Sequence, residues 1–232
     1  MQLDILVFGA HPDDVELGCG GTIIKEVQNA KKVGVIDLTR GELGTRGNSK
    51  IRDIETSKAT DILGVAVREN MNFKDGFFKD DEEHKIELIK RIRKYRPDIV
   101  ITNAISDRHP DHPRSSQISI DACFLSGLEK IETGQSIWRP RAIYHYIQFN
   151  NITPDIVVDI TSQMKLKLQA IKAYSSQFYN PDSKESKTII SSSEFLESIT
   201  YRAQDLGRQS NCKYAEGFVS HQIPKATSLL DL

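Results

Sequence analysis

Short apolar runs of strand length alternate with segments of helical period through the first half of the chain. That alternation admits few folds: it calls for a parallel sheet covered by helices, an α/β class. Residues 3–9 (Leu3-Asp4-Ile5-Leu6-Val7-Phe8-Gly9) form the first strand-like run. After the Gly18-Cys19-Gly20-Gly21 cluster, residues 22–30 read as a helix and 32–38 as the second strand. A helix over 52–63 ends at Gly64, a C-terminal cap, and an extended stretch follows over 65–70. Ile86, Leu88, Ile89 and Ile92 carry a helix over 82–95, Pro97 introduces a strand at 98–102, and a helix over 113–128 opens on Pro113. The second half is less regular: strands at 142–148 and 155–158, a helix at 161–174, and a last helix at 194–206 capped by Gly207. The polar stretch 177–193 reads either as a substrate-covering loop or as a merely solvated one. No linker or shift of composition follows residue 150, so residues 1–232 are expected to form a single domain.

Charge narrows the ligand. With 31 basic and 32 acidic residues, net −1, there is no basic field to hold nucleic acid or an anionic membrane, and a small molecule fits better. Apolar stretches such as 99–102 and 156–158 fall far short of the roughly 20 residues that span a bilayer. Met1 runs straight into the first strand without the zones of a secretory signal, so the expected compartment is the cytoplasm. Cys19, Cys123 and Cys212, widely spaced and odd in number, argue against a disulfide framework.

Ligands of such a sheet collect at the carboxyl ends of its strands. Two segments there are rich in His and Asp: Ala10-His11-Pro12-Asp13-Asp14 after the first strand, and Asp107-Arg108-His109-Pro110-Asp111-His112 after the strand at 98–102. His11, Asp14 and His112 make a two-histidine, one-carboxylate set with a coordination position left for water, the layout of a catalytic zinc site. The same donors also suit non-haem Fe²⁺. Asp13 remains free as a base. Taken alone, Asp13 or Asp14 reads equally well as a helix N-cap, and one His-x-x-His segment is weak evidence for metal. The two clusters together favour a site. His84, His145 and His221 lack such company and read as surface or core residues.

His11-Pro12-Asp13-Asp14, Glu16 and the glycines at 18–21 resemble the signature of the zinc-dependent N-deacetylases related to the glucosaminyl-phosphatidylinositol deacetylase, the LmbE-like family. The resemblance extends through Thr39-Arg40-Gly41-Glu42-Leu43-Gly44-Thr45-Arg46-Gly47, Arg52, Glu55, His109-Pro110-Asp111-His112 and Tyr214-Ala215-Glu216-Gly217-Phe218. The 39–47 loop and Ala173-Tyr174-Ser175-Ser176-Gln177-Phe178 look most like the bacterial branch acting on N-acetylglucosaminyl-malate in bacillithiol biosynthesis. The resemblance implies a Rossmann-like three-layer α/β/α fold, with zinc at His11, Asp14 and His112. It implies Asp13 as general base and His109 as the residue stabilising or protonating the transition state. It also implies a homo-oligomer, commonly a hexamer. Some relatives use a late tyrosine at the oxyanion; Phe195 aligns approximately there, Tyr201 lies nearby, and the role stays unassigned.

A malate glycoside carries two carboxylates, which arginine binds through its planar fork. Arg52 is the first candidate, then Arg108, with Arg46 also in a presumed site loop; Arg52 and Glu55 could instead pair along their helix. The competing substrate is another N-acetylglucosaminyl conjugate or a chitin fragment. A non-catalytic metal-binding module competes more weakly. So does a nucleotide-binding Rossmann protein, because the first turn carries Gly9-Ala10-His11-Pro12-Asp13 instead of Gly-x-Gly-x-x-Gly.

Overall fold

A computed structural model describes residues 1–228. The elements run β1 (Ile5–Gly9), α1 (Asp14–Gln28), β2 (Val33–Thr39), α2 (Ser49–Leu63), β3 (Val67–Phe73), α3 (Glu82–Tyr95), β4 (Ile99–Thr102) and α4 (Asp111–Leu125). There follow β5 (Ala142–Tyr146), β6 (Ile156–Asp159), α5 (Met164–Lys172), a 3₁₀ turn at Ile189–Ser191, α6 (Ser193–Gln209) and β7 (Ala215–Ser220). One sheet takes the order β3-β2-β1-β4-β5-β7-β6. The first five strands are parallel, and β7 runs antiparallel to both β5 and β6. The expected mostly parallel α/β sheet is what forms.

Alternation along the central strands builds the layers, because successive side chains point to opposite faces. Leu6 and Phe8 pack with Ile36, Leu38 and Val100 against Leu88, Ile92 and Ile118 of α3 and α4. Ile5 and Val7 pack with Val35 and Ile101 against Val15, Ile23, Leu63 and Ala170 of α1, α2 and α5. No helix among the described residues is long and apolar enough to cross a membrane, and all three cysteines are free.

The structure corrects the sequence reading in three places. Helix α1 begins at Asp14, eight residues before the expected start at 22, and runs through the glycines. It is kinked at Cys19 (φ −144°, ψ 19°). Beyond the kink, the N–H groups of Gly21 and Thr22 donate to Glu216 of β7, at 2.9 and 2.7 Å. Lys167 pairs with that carboxylate and donates to Leu17 O at 2.8 Å. The expected helix is thus the second arm of a bent one, started by a cap 194 residues away in the chain. Second, β7 falls in a stretch that the sequence marks only as a motif. Third, Gly207 lies inside α6, where a Cβ would come within 2.7 Å of Cys212 O. Gly64 does cap α2 as expected, at φ +70°.

Gly18 is required by contact. A Cβ there would lie 2.1 Å from the buried Tyr146 ring, whose hydroxyl donates to Phe8 O at 3.1 Å. Gly18→Ala is therefore expected to destabilise the fold by about 1–3 kcal/mol through overpacking. An unchanged urea midpoint would show that α1 and β5 can separate at little cost.

Candidate active site

Strand order reverses between β1 and β4, and at their carboxyl ends lies a cleft of about 450 Å³. The β1–α1 turn contributes His11, Asp13 and Asp14; the segment between β4 and α4 contributes Asp107, Arg108, His109 and His112. The two motifs, about a hundred residues apart in the chain, therefore share one cleft.

Asp14 bridges the histidines: its Oδ2 is 3.5 Å from His11 Nδ1, and its Oδ1 is 3.2 Å from His112 Nε2. Donors from all around hold this carboxylate still. His11 N–H reaches Oδ2 at 2.9 Å, Asn103 Nδ2 at 3.0 Å, and Gln148 Nε2 reaches Oδ1 at 2.8 Å. The outer ring nitrogens face carboxylates: His112 Nδ1 is 2.8 Å from Asp107, and His11 Nε2 is 3.0 Å from Asp75 and 3.3 Å from Asp111. Carboxylates behind ligating histidines set the ring tautomer and leave the inner nitrogens to a cation. The donor set thus fits a divalent metal in its chemistry. His109 adds a third imidazole, with a ring nitrogen within 4.8 Å of nitrogens of His11 and His112, and Asp75 and Asp111 approach His11 equally closely.

Burial and charge act strongly here. Burial pulls the His112 pKa down, but Asp14 and Asp107 more than reverse this, raising it to about 9. His11 is likewise raised, its carboxylate neighbours Asp111, Asp14 and Asp75 overcoming burial. Asp14 is pulled well below the usual carboxylate range, its burial outweighed by His112 and His11.

Asp13 takes the N-cap position of α1 but makes no capping bond. Its backbone is left-handed at φ 115°, a conformation that costs a non-glycine residue about 1–3 kcal/mol and turns the side chain off the helix. The carboxylate is buried and meets Arg52 Nη1 at 2.9 Å. Burial pushes its pKa to about 7, against the opposing charge of Arg52 and with the support of Asp14. His109 is half-buried; burial and the charges of His11 and His112 lower its pKa. The N–H of Asp111 donates to His109 Nδ1 at 3.3 Å, so in the neutral ring the proton sits on Nε2.

The arginines divide. Arg52 lines the cleft but holds Asp13 and Pro12 O, and Glu55 accepts from Ser176 N and Oγ at 2.7 Å instead of pairing with Arg52. Arg46 donates to Ser176 O, Ser183 Oγ and Ser186 O, tying the 39–48 loop to the polar segment after α5. That segment is a wall of the cleft, through Gln177, Thr188, Ile189 and Ile190. Arg108 is exposed, stacks 4.8 Å over Phe149, and its guanidinium has no hydrogen bond or ion pair among the described residues. Phe195 is in the wall, parallel to Phe149 and Phe178 at 6.2 Å from each. Tyr201 is 60% exposed with its hydroxyl on Glu197, and no tyrosine among the described residues lines the cleft. His145 is a core residue, bonded to Ser116 and Asn103 O, and His84 sits on the Asp81 cap of α3.

Asp75, Asn103, Gln148 and Arg202 also line or brace the site, and sequence reasoning missed them. The first three follow the carboxyl ends of β3, β4 and β5 by one or two residues, which is the signal that could have found them.

Residues 6–123 match the family described as GlcNAc-PI de-N-acetylase, PIG-L. The diacetylchitobiose deacetylase of Thermococcus kodakarensis is 31% identical over 186 residues, covering 75% of this chain and 70% of that protein. A probable N-acetyl-alpha-D-glucosaminyl L-malate deacetylase 2 of Bacillus anthracis is 26% identical, over 75% of this chain and 81% of its own. The crystal structure of the conserved protein TT1542 from Thermus thermophilus superposes with a TM-score of 0.88 at 32% identity, covering 97% of this chain and 98% of that one. A shared fold would not by itself decide the chemistry, but the family match spans both His/Asp motifs, and the chain belongs to the PIG-L family as an enzyme of the N-deacetylase class.

Proposed function

We propose that the protein removes the N-acetyl group from N-acetylglucosaminyl-malate, giving glucosaminyl-malate and acetate in bacillithiol biosynthesis. The observation that carries the chemistry is the buried Asp13 carboxylate, turned away from its helix beside Asp14, with His109 in the same cleft. His11, Asp14 and His112 would hold a divalent cation, Zn²⁺ or Fe²⁺, which when bound would supply the positive charge that polarises an acetamide carbonyl and acidifies water.

The chain's own groups do the rest. Asp13 takes the proton of the attacking water, and Arg52 holds its carboxylate in place. As the C–N bond breaks, the Asp13 carboxyl returns that proton to the departing amine. His109, its basicity lowered by burial and its neighbours, acts as a neutral Nε2–H donor toward the carbonyl oxygen as negative charge develops there. Of the two roles that the resemblance implies for His109, this is the stabilising one. Arg108, uncommitted at the cleft, takes a carboxylate of the aglycone.

A chitin fragment is the second reading, favoured by the aromatic wall of Phe149 and Phe195, a flat surface for another sugar ring. The test is free-amine release from N-acetylglucosaminyl-malate, diacetylchitobiose and N-acetylglucosamine, by metal-stripped protein with and without Zn²⁺ or Fe²⁺. The expected result is metal-dependent release strongly favouring the malate conjugate. Preference for diacetylchitobiose would move the substrate to the second reading, and no release from any of them would overturn both and leave another N-acetylglucosaminyl conjugate as the substrate.

A further inference from the structure

Four arginines line the cleft, and two are already engaged: Arg52 by Asp13, and Arg46 by the serine-rich segment. The remaining two, Arg108 and Arg202, have no carboxylate within 4.0 Å and no side-chain hydrogen bond to any described residue. Arg202 differs from Arg108 in being half-buried on a rigid element, well inside α6. It lies seven positions after Phe195, hence on the same helix face, and both residues line the cleft. A desolvated guanidinium presents five N–H donors, and leaving them unmatched is costly unless a ligand completes them. The acidic groups whose charge acts on it, Asp107 and Glu216, are already bound elsewhere, Asp107 to His112 and Glu216 to Lys167.

We infer that Arg202 is a substrate-specificity residue: it binds an anionic group on the aglycone, and with Arg108 it forms a two-arginine subsite for a dicarboxylate. This deepens the malate reading above and rests on it. In this reading the acetamide lies at the His/Asp cluster and the charged aglycone beside the wall of Phe149 and Phe195, over which Arg108 stacks. Arg202 touches no reacting atom in this arrangement. Its removal should weaken binding of charged substrate and leave the chemical step alone.

The experiment uses metal-loaded enzyme and the variants Arg202→Gln and Arg202→Lys. Free L-malate serves as a competitive inhibitor, with N-acetylglucosamine as the neutral substrate. In the unmodified enzyme malate inhibits; Arg202→Gln weakens that inhibition about 10- to 100-fold, the loss of one charge-assisted hydrogen bond set. The same variant raises KM for N-acetylglucosaminyl-malate far more than KM for N-acetylglucosamine, and Arg202→Lys recovers part of the affinity. Because no ion pair is broken, the thermal midpoint of Arg202→Gln stays at or above the original, and a merely structural arginine would lower it. Equal malate inhibition in enzyme and variant overturns the Arg202 assignment even if the malate conjugate remains the preferred substrate. Equal losses on charged and neutral substrates overturn it too. A strong effect of Arg202→Gln on malate inhibition, in an enzyme that prefers diacetylchitobiose, would uphold the anion subsite and remove the malate glycoside as substrate.

Discussion

Asp13→Asn is expected to keep its metal and to lower kcat by about 10²- to 10⁴-fold, the usual worth of a general acid-base group. The amide fills nearly the same volume and can still accept from Arg52, but it cannot take a proton from water. Because the proposed ligands are His11, Asp14 and His112, elemental analysis should find the metal content of the variant unchanged. The pH profile separates this role from a structural one. A base must be unprotonated to act, and burial puts the Asp13 pKa at about 7, so kcat/KM should fall as the pH drops. The cation takes the place of the imidazole protons and keeps positive charge beside the carboxylate, so the acid limb should lie near pH 7. Asp13→Asn should flatten that limb. Turnover close to that of the unmodified enzyme would exclude Asp13 as the base.

Stripping the metal with a chelator should abolish turnover, and Zn²⁺ should restore it in the unmodified enzyme but not in His112→Ala. The variant removes a donor and strands Asp107 and Asp14 without the imidazole that both face. Metal uptake should also report protons. The His112 pKa near 9 means that the inner nitrogen carries a proton at neutral pH until a cation displaces it. Affinity should therefore strengthen as pH rises from 6 to 8, by about tenfold per pH unit for each proton displaced. Stability follows the same sign. A raised histidine pKa contributes stability that is complete below the unfolded value near 6.5 and is lost as pH rises through about 9. Stripped protein should consequently lose thermal stability toward pH 9, and saturating metal, which binds only the folded site, should raise the midpoint throughout. Affinity that stays flat between pH 6 and 8 would remove His112 from the ligand set.

Much of this is readable along the chain because the controlling interactions are local or periodic. Apolar alternation at Leu6, Val7 and Phe8 needs only a sheet with two covered faces, and it places β1, β2 and β4 correctly. The two His/Asp segments are legible because chemistry gathers at strand ends, and Gly64 because a helix stop needs a left-handed residue. Local signals fail where a residue answers to a distant partner. The start of α1 is misplaced by sequence because Gly18 and Gly21, which read as loop glycines, are instead small for the sake of Tyr146 and Ile160. Glu216, which caps the second arm of α1, is 194 residues from Thr22. The arginines make the same point in the site. Arg46, Arg52, Arg108 and Arg202 carry the same side chain, and nothing in spacing tells which will be neutralised. Residue type and periodicity determined the sheet, its layers and the His and Asp donors gathered at its edge. Contacts between remote segments decided that Arg52 serves Asp13, that Arg46 ties a wall, and that Arg108 and Arg202 remain open, because a charge is matched by whatever the fold brings within a few ångströms of it.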